Sequence, residues 1–228
     1  MRIEDANWMD IENYLRYDDR LMLVTGACEQ HGYLSLLTDI KIPLALATAA
    51  GKQTGVLVAP PLNFGVSPYF ARYPGTISLR VQTFLSVFED LVRAVYAQGF
   101  KRLLVVNGHG GNDPAKALLY ELSNELAGLK TNWYSWWLAP SVLTVEEQHG
   151  LTGYHANFSE AFPFTRVAEL PAGEKTLPVR PSYMQNAEDT RAAVGDGVYG
   201  GAYLADDAVM QQIFDAAVND IVEKLGFG

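Results

Sequence analysis

The segment "GACEQHGYLSLLTD" (26–39) places Glu29, His31 and Asp39 close together in one polar stretch. Carboxylates beside an imidazole serve one of three purposes: solvated loop polarity, an acid/base pair, or part of a metal site. A second segment, "NGHGGN" (107–112), supplies His109, and a third, "HANFSE" (155–160), supplies His155 and Glu160. Singly, each has an ordinary explanation. "NGHGGN" reads as a tight strand-to-helix turn, or as a glycine loop whose backbone N–H groups cradle a phosphate. It lacks the Lys and Ser/Thr of a P-loop and the spacing of a dinucleotide fingerprint. His155 alone is a hydrogen-bonded histidine, and Glu160 alone a solvated carboxylate. Jointly, Glu29, His31, Asp39, His109 and Glu160 form a borderline-hard donor set of carboxylates and imidazoles, suited to Zn²⁺ or Mn²⁺. Five ligands exceed one tetrahedral ion, whereas two ions sharing a bridging carboxylate would use them all. Thiolate is absent, which argues against a structural zinc. An open coordination position would carry water, acidified into a nucleophile near neutral pH.

These residues need elements to bring them together. "RLMLVTGA" (20–27) is a short apolar run ending in Gly, a buried strand with the polar motif directly after it. The spacing predicts helices over 40–55, 78–99, 114–128 and 206–226. In the second of these, Val81, Phe84, Leu85, Phe88, Leu91, Val92 and Val95 form one stripe, and Gly99 is the stop. "VLVAPPLNFG" (56–65) starts as a strand and is halted by Pro60 and Pro61. "SPYFARYPGT" (67–76) is an aromatic loop, and "KRLLVVNGHGGN" (101–112) is a strand followed by a glycine loop. "NWYSWWLA" (132–139) reads as a strand whose tryptophans are core, with Trp136 or Trp137 facing a substrate as the alternative. "HANFSEAFPFTRVA" (155–168) opens a helix that Pro163 complicates. Residues 171–203 are an excursion without periodicity. Strands alternating with helices give an α/β fold, a mainly parallel central sheet flanked by helices on both faces, in a single domain over 1–228. Ligands in such sheets sit beyond the carboxyl ends of the strands, where the 26–39 and 107–112 segments both fall.

The 228-residue chain is 49% hydrophobic and 19% charged, the balance of an ordinary globular protein. Its 17 basic residues against 26 acidic ones, net −9, exclude a nucleic-acid binder and an anionic membrane surface as partners. "MRIEDANWMD" has no apolar core and is not read as a signal peptide, and no run is long enough to span a bilayer. Cys28 is the only cysteine, so no internal disulfide is possible. That fits a reducing cytoplasm, the expected location. Its neighbour Glu29 would raise a thiol pKa, so Cys28 reads as small filler rather than a nucleophile.

Taken in order, "EQHG" with its downstream "TD", "YPGTISL" (73–79), "VNGHGGN" (106–112), "HANFSE" and "GDGVYGG" (195–201) resemble the creatininase (creatinine amidohydrolase) superfamily. The resemblance runs from about residue 20 to the C-terminus. It implies an α/β fold, a homo-oligomer, and a two-metal centre that hydrolyses linear or cyclic amides and related C–N bonds other than peptide bonds. By that similarity Glu29, Asp39 and His109 bind one metal and His31, Asp39 and Glu160 the other, with Asp39 bridging. The metals would be Zn and/or Mn, with Fe compatible. His155 matches the histidine that donates a proton to the leaving nitrogen. The motif departs from the family pattern in being one residue shorter before Asp39, with Tyr33 and Leu34 where Pro and a second His are expected. Tyr69 and Phe70 stand where an acidic residue and a His are common, and Asn157 stands where the family has Gly. The implied site keeps its metal chemistry in a more apolar pocket, for a small-molecule amide or lactam, and the altered pocket argues against creatinine itself. Two alternatives are an amide-forming or lactam-processing biosynthetic enzyme on the same site, and a non-catalytic metal or small-molecule binding protein. A retained His155 argues against the latter, since a binder needs no proton donor.

Overall fold

The computed structural model describes residues 1–179 and 181–227. Its sheet contains β1 (Arg20–Thr25), β2 (Leu57–Val58), β3 (Arg102–Asn107) and β4 (Lys130–Ser135), all parallel, in the order β2–β1–β3–β4. β1 and β3 are central, pair in full register from Arg20↔Arg102 to Thr25↔Asn107, and read as continuous apolar runs because both faces are covered.

Strand periodicity sorts those runs into two cores. Met22, Val24, Leu104 and Val106 point to one face, where they meet Ile42, Leu46 and Ala50 of α2 (Thr38–Thr54), Val142 of α5 (Pro140–Gln148) and Met210 and Ile213 of α7 (Asp207–Lys224). Leu21, Leu23, Leu103 and Val105 point to the other. There they meet Tyr14 of α1 (Trp8–Tyr14), Phe84, Phe88 and Val92 of α3 (Val81–Gln98), and Leu119 and Leu122 of α4 (Ala115–Glu125). The chain thus forms the expected α/β layer structure. Among the described residues no helix is long and apolar enough to cross a membrane.

α3 ends where the sequence places its stop, at Gly99 with φ 117°. Three segments differ from expectation. The strand over 132–139 ends at Ser135; a 3₁₀ turn (Trp136–Leu138) follows, which rotates Trp136 into the core at 1% exposure. The sequence reading gave no helix to 140–148, yet α5 forms there with Pro140 in its first turn, one of the few interior positions a proline suits. The helix expected from 155 does not form. Asn157 instead caps a single 3₁₀ turn, Phe158–Glu160, accepting from Ser159 N, while Ala156 before it takes a left-handed φ of 63°. The excursion over 171–203, residue 180 aside, contains β5 (Glu174–Lys175), α6 (Ala187–Val194) and β6 (Gly201–Ala202), with β5 and β6 antiparallel.

Candidate metal centre

The strand order reverses between β1 and β3, which opens a crevice at their carboxyl ends. Glu29 and His31 leave β1 into that crevice and His109 leaves β3 beside them. Asp39 arrives from the first turn of α2, not from a loop, and so reaches the cluster despite the contracted spacing before it. Its helix is packed against the strand ends with no room to spare. A Cβ on Gly108 would lie 2.9 Å from the Asp39 carbonyl carbon, and one on Gly26 would lie 2.6 Å from it. Pro43, inside α2, has no N–H to give the Asp39 carbonyl, and that oxygen turns to the two glycines.

The loops are tied to each other as well as to the sheet. Asn112 donates to Thr25 Oγ1 at 3.2 Å and to the Gly26 carbonyl at 3.1 Å, and accepts from Val66 N at 3.3 Å. Asn107 donates to the His109 carbonyl at 2.8 Å and accepts from His109 N at 3.2 Å. The two asparagines of "NGHGGN" therefore brace the loop, which is a different job from cradling a phosphate.

All five candidate ligands converge, and His155 joins them. His31 Nε2 is 2.9 Å from Asp39 Oδ1 and 3.7 Å from Glu160 Oε1. His109 Nδ1 is 2.9 Å from Asp39 Oδ2, and its Nε2 is 3.9 Å from Glu29 Oε2. His155 Nδ1 is 3.6 Å from Glu29 Oε1. The ligand atoms of Glu29, Asp39 and His109 lie within 4.8 Å of one another, as do those of His31, Asp39 and Glu160, and Asp39 belongs to both groups.

The residues fit a divalent cation on their own chemistry. Glu29 Oε2, His31 Nε2 and Asp39 Oδ2 are buried with no hydrogen-bond partner, although each has an oppositely charged neighbour close by. Buried orphans of this kind are costly unless something binds them. The outward nitrogens are satisfied in the way expected of ligating histidines: His31 Nδ1 donates to the Glu29 carbonyl at 3.0 Å and His109 Nε2 to the Val66 carbonyl at 2.9 Å.

The charges confirm how unbalanced the bare cluster is. Burial lifts the Glu29 carboxyl to about 7 despite His109 beside it. Burial would lower His109, but the Asp39 and Glu29 carboxylates outweigh it and raise the imidazole to about 9. His31 goes well above the usual range for the same reason, through Asp39 and Glu160. Burial opposes ionisation of Asp39 and Glu160 too, yet neighbouring imidazoles hold both below the ordinary carboxylate range. His155 differs: burial first and His31 second push it down to about 4. Its side chain is 21% exposed against 1% for His31 and 4% for His109, so it is the imidazole of the cluster that a substrate can touch.

Sequence reasoning missed three contributors. Ser67 is fully buried with its hydroxyl 3.1 Å from His109 Nε2. Gln30 lies within the "EQHG" motif but carried no assigned role; its side-chain nitrogen is 2.9 Å from His155 Nε2. Phe70, flagged only as a departure, stacks on the His155 ring at 4.5 Å and 18°. The Asn157 side chain is spent on its own turn, accepting from Tyr154 N and Ser159 N, and its carbonyl accepts from Glu160 N at 3.1 Å. Cys28 is half-buried, donates to the Gly75 carbonyl at 3.3 Å, and is pushed up by burial, the opposite of an activated thiol.

A family model described as creatinine amidohydrolase matches residues 4–225. The chain belongs to the creatininase family. The similarity extends to relatives of two kinds. Creatinine amidohydrolase of Pseudomonas putida is 31% identical over 117 residues, 48% of this chain and 45% of that protein. Mycofactocin precursor peptide peptidase of Mycolicibacterium smegmatis (strain ATCC 700084 / mc(2)155) is 27% identical over 216 residues, 90% of this chain and 83% of that protein. Among solved structures, "Creatininase Mn" superposes with a TM-score of 0.83 at 22% identity, covering 98% of this chain and 96% of that one. A mutant creatininase of "Zn-Zn type" gives 0.83 at 23% identity with the same coverage. These structures establish the shared fold. As a creatininase-family protein, the chain is a metal-dependent hydrolase of amide bonds.

Proposed function

We propose that this creatininase-family enzyme cleaves a cyclic or linear amide C–N bond at a centre of two divalent cations. Glu29, Asp39 and His109 would hold one cation and His31, Asp39 and Glu160 the other, with Asp39 shared. The supporting observation is the pair of three-residue groups that meet at Asp39. The all-N/O donor set suits Zn or Mn, with Fe compatible. When bound, such cations supply Lewis acidity to a carbonyl and a water acidified to a nucleophile near neutral pH.

The chain's own residues do the rest. His31 and His109 give their outer N–H groups to backbone carbonyls, which fixes ring orientation and leaves the inner nitrogens free to ligate. His155, held neutral by its burial, turns Nδ1 toward the cluster, where it takes a proton from the attacking water and passes it on to the leaving nitrogen. Its Nε2 has both a donor, the Gln30 side-chain amide at 2.9 Å, and an acceptor, the Gln30 carbonyl at 3.1 Å. That nitrogen therefore finds a partner whether bare or protonated, which suits a ring that carries protons through its other nitrogen. Phe70 closes one face of the ring to water.

The substrate is a small-molecule amide or lactam in this reading, and the enzyme a cytoplasmic homo-oligomer. A second reading, in which the amide is a peptide bond, is favoured by the match to the peptidase along 90% of the chain, against 48% for creatinine amidohydrolase. Metal analysis of purified protein, followed by hydrolysis assays on lactams, linear amides and short peptides with and without chelator, tests both. The expected result is about two metals per chain by the ligand count above and turnover that chelator abolishes. Metal without turnover on any amide would instead favour a binding protein.

A further inference from the structure

The Lys175 ammonium lies outside the metal cluster and has no role in the chemistry above. It is buried to about four-fifths, with its side chain 20% exposed. Its Nζ donates to the Val194 carbonyl at 2.5 Å, to the Val198 carbonyl at 2.6 Å and to Asp196 Oδ1. An ammonium has three protons, and each finds an oxygen. Asp196 is held in turn: Oδ2 accepts from Tyr203 Oη at 3.0 Å and Oδ1 from Val198 N at 3.1 Å. The cage thus fixes the turn over 194–198 around a single positive charge.

That turn is joined to the cluster at two points. The Gly197 carbonyl accepts from Gln30 Nε2 at 3.0 Å, and Tyr199 N donates to the His155 carbonyl at 3.0 Å. Gly197 has φ 96°, and a Cβ there would collide with the Gln30 side chain, so the contact is close and needs glycine. Gln30 Oε1 accepts from Gly32 N at 3.1 Å, which fixes which end of the amide is nitrogen. With one amide proton committed to Gly197, the other faces His155 Nε2.

We infer that Lys175 is a positioning residue for His155: a built-in monovalent cation that holds the 194–198 turn so that Gly197 aims the Gln30 amide at the His155 ring. The inference rests on reading His155 as the proton-carrying group. An ordinary surface ion pair contributes little and would be indifferent to the identity of a replacement ion. A three-oxygen cage selects by size and hydrogen bonding.

The test is the ¹⁵N-histidine spectrum of the zinc-loaded protein and its Lys175→Ala variant. In the variant the His155 ring signals shift from their wild-type positions, and ammonium chloride returns them while tetramethylammonium chloride does not. Should Lys175→Ala fail to fold, Lys175→Met, which keeps the stem and removes the charge, is read for the His155 shift alone. His155 signals that match wild type in the folded variant overturn the inference. So does a shift that both salts reverse equally, or that neither reverses. The readout needs no turnover, so its failure leaves the hydrolase reading standing, and a failed hydrolysis screen leaves the clamp standing.

Discussion

At the scale of single residues, the cluster separates two histidine roles that sequence alone pairs together. His109 has both nitrogens committed, one toward Asp39 and one to the Val66 carbonyl, and is 4% exposed. His155 is reachable and supported at Nε2 in either protonation state. His155→Ala is expected to keep its metal and lose roughly 10²–10⁴-fold in turnover, the usual worth of general acid catalysis. His109→Ala is expected to lose metal; elemental analysis beside a single-turnover assay reads both. The charges give a pH prediction with a definite sign. His109, raised to about 9, is protonated at neutral pH in the metal-free protein, and neighbouring carboxylates push His31 in the same direction. A cation must displace the His109 proton, so metal affinity rises with pH up to about 9 and falls as pH drops. Calorimetric zinc titration in buffers of different ionisation enthalpy should show net proton release at pH 7. An unchanged heat across buffers would mean the rings are already neutral.

At the scale of elements, the site depends on how tightly α2 is pressed against β1 and β3. Gly26 and Gly108 are the contact points, and Asp39 stands on the helix they receive. Gly26→Ala and Gly108→Ala should each push α2 outward, costing about 1–3 kcal/mol as overpacking does, and should also lower metal content because Asp39 moves with the helix. Thermal unfolding and metal stoichiometry measured on the same samples check the coupling. A destabilised variant with full metal content would show that Asp39 is held independently of α2. Trp136 belongs to this scale as well. The sequence reading left core and pocket as alternatives for Trp136 and Trp137. The 3₁₀ turn after β4 settles Trp136 as core, packed on Phe162.

At the scale of the whole molecule, metal and fold are linked. Several carboxylates buried together repel one another, and a cation that binds only the folded chain adds its binding free energy to stability. Metal at a hundred- to a thousandfold above its dissociation constant contributes roughly 3–4 kcal/mol. For a chain of this size that corresponds to roughly 6–16 °C in Tm. Chelator should therefore lower Tm by that amount, measurable by calorimetry, and an excess of Zn²⁺ or Mn²⁺ should restore it. A Tm indifferent to chelator would mean that the cluster is satisfied by its own protons.

Much of this molecule was legible in its sequence, because the relevant signals are local. Apolar runs of β1 and β3 mark strands buried on both faces, the stripe of α3 marks its covered side, and residue chemistry alone nominates Glu29, His31, Asp39, His109 and Glu160. Where the chain departs from those readings, non-local contacts decide. The helix expected at 155 yields to the Asn157 cap and the left-handed Ala156, and 132–139 breaks after Ser135 so that Trp136 can enter the core. Gln30, Ser67 and Lys175 carried no signal, since an amide, a hydroxyl and an ammonium are ordinary surface groups until a partner distant in sequence meets them. The sequence determined which side chains are able to bind a metal. Only the tertiary structure decided that Asp39 stands between two imidazoles and that His155, alone of the three histidines at the cluster, stays partly exposed, because both depend on where the ends of separate strands meet.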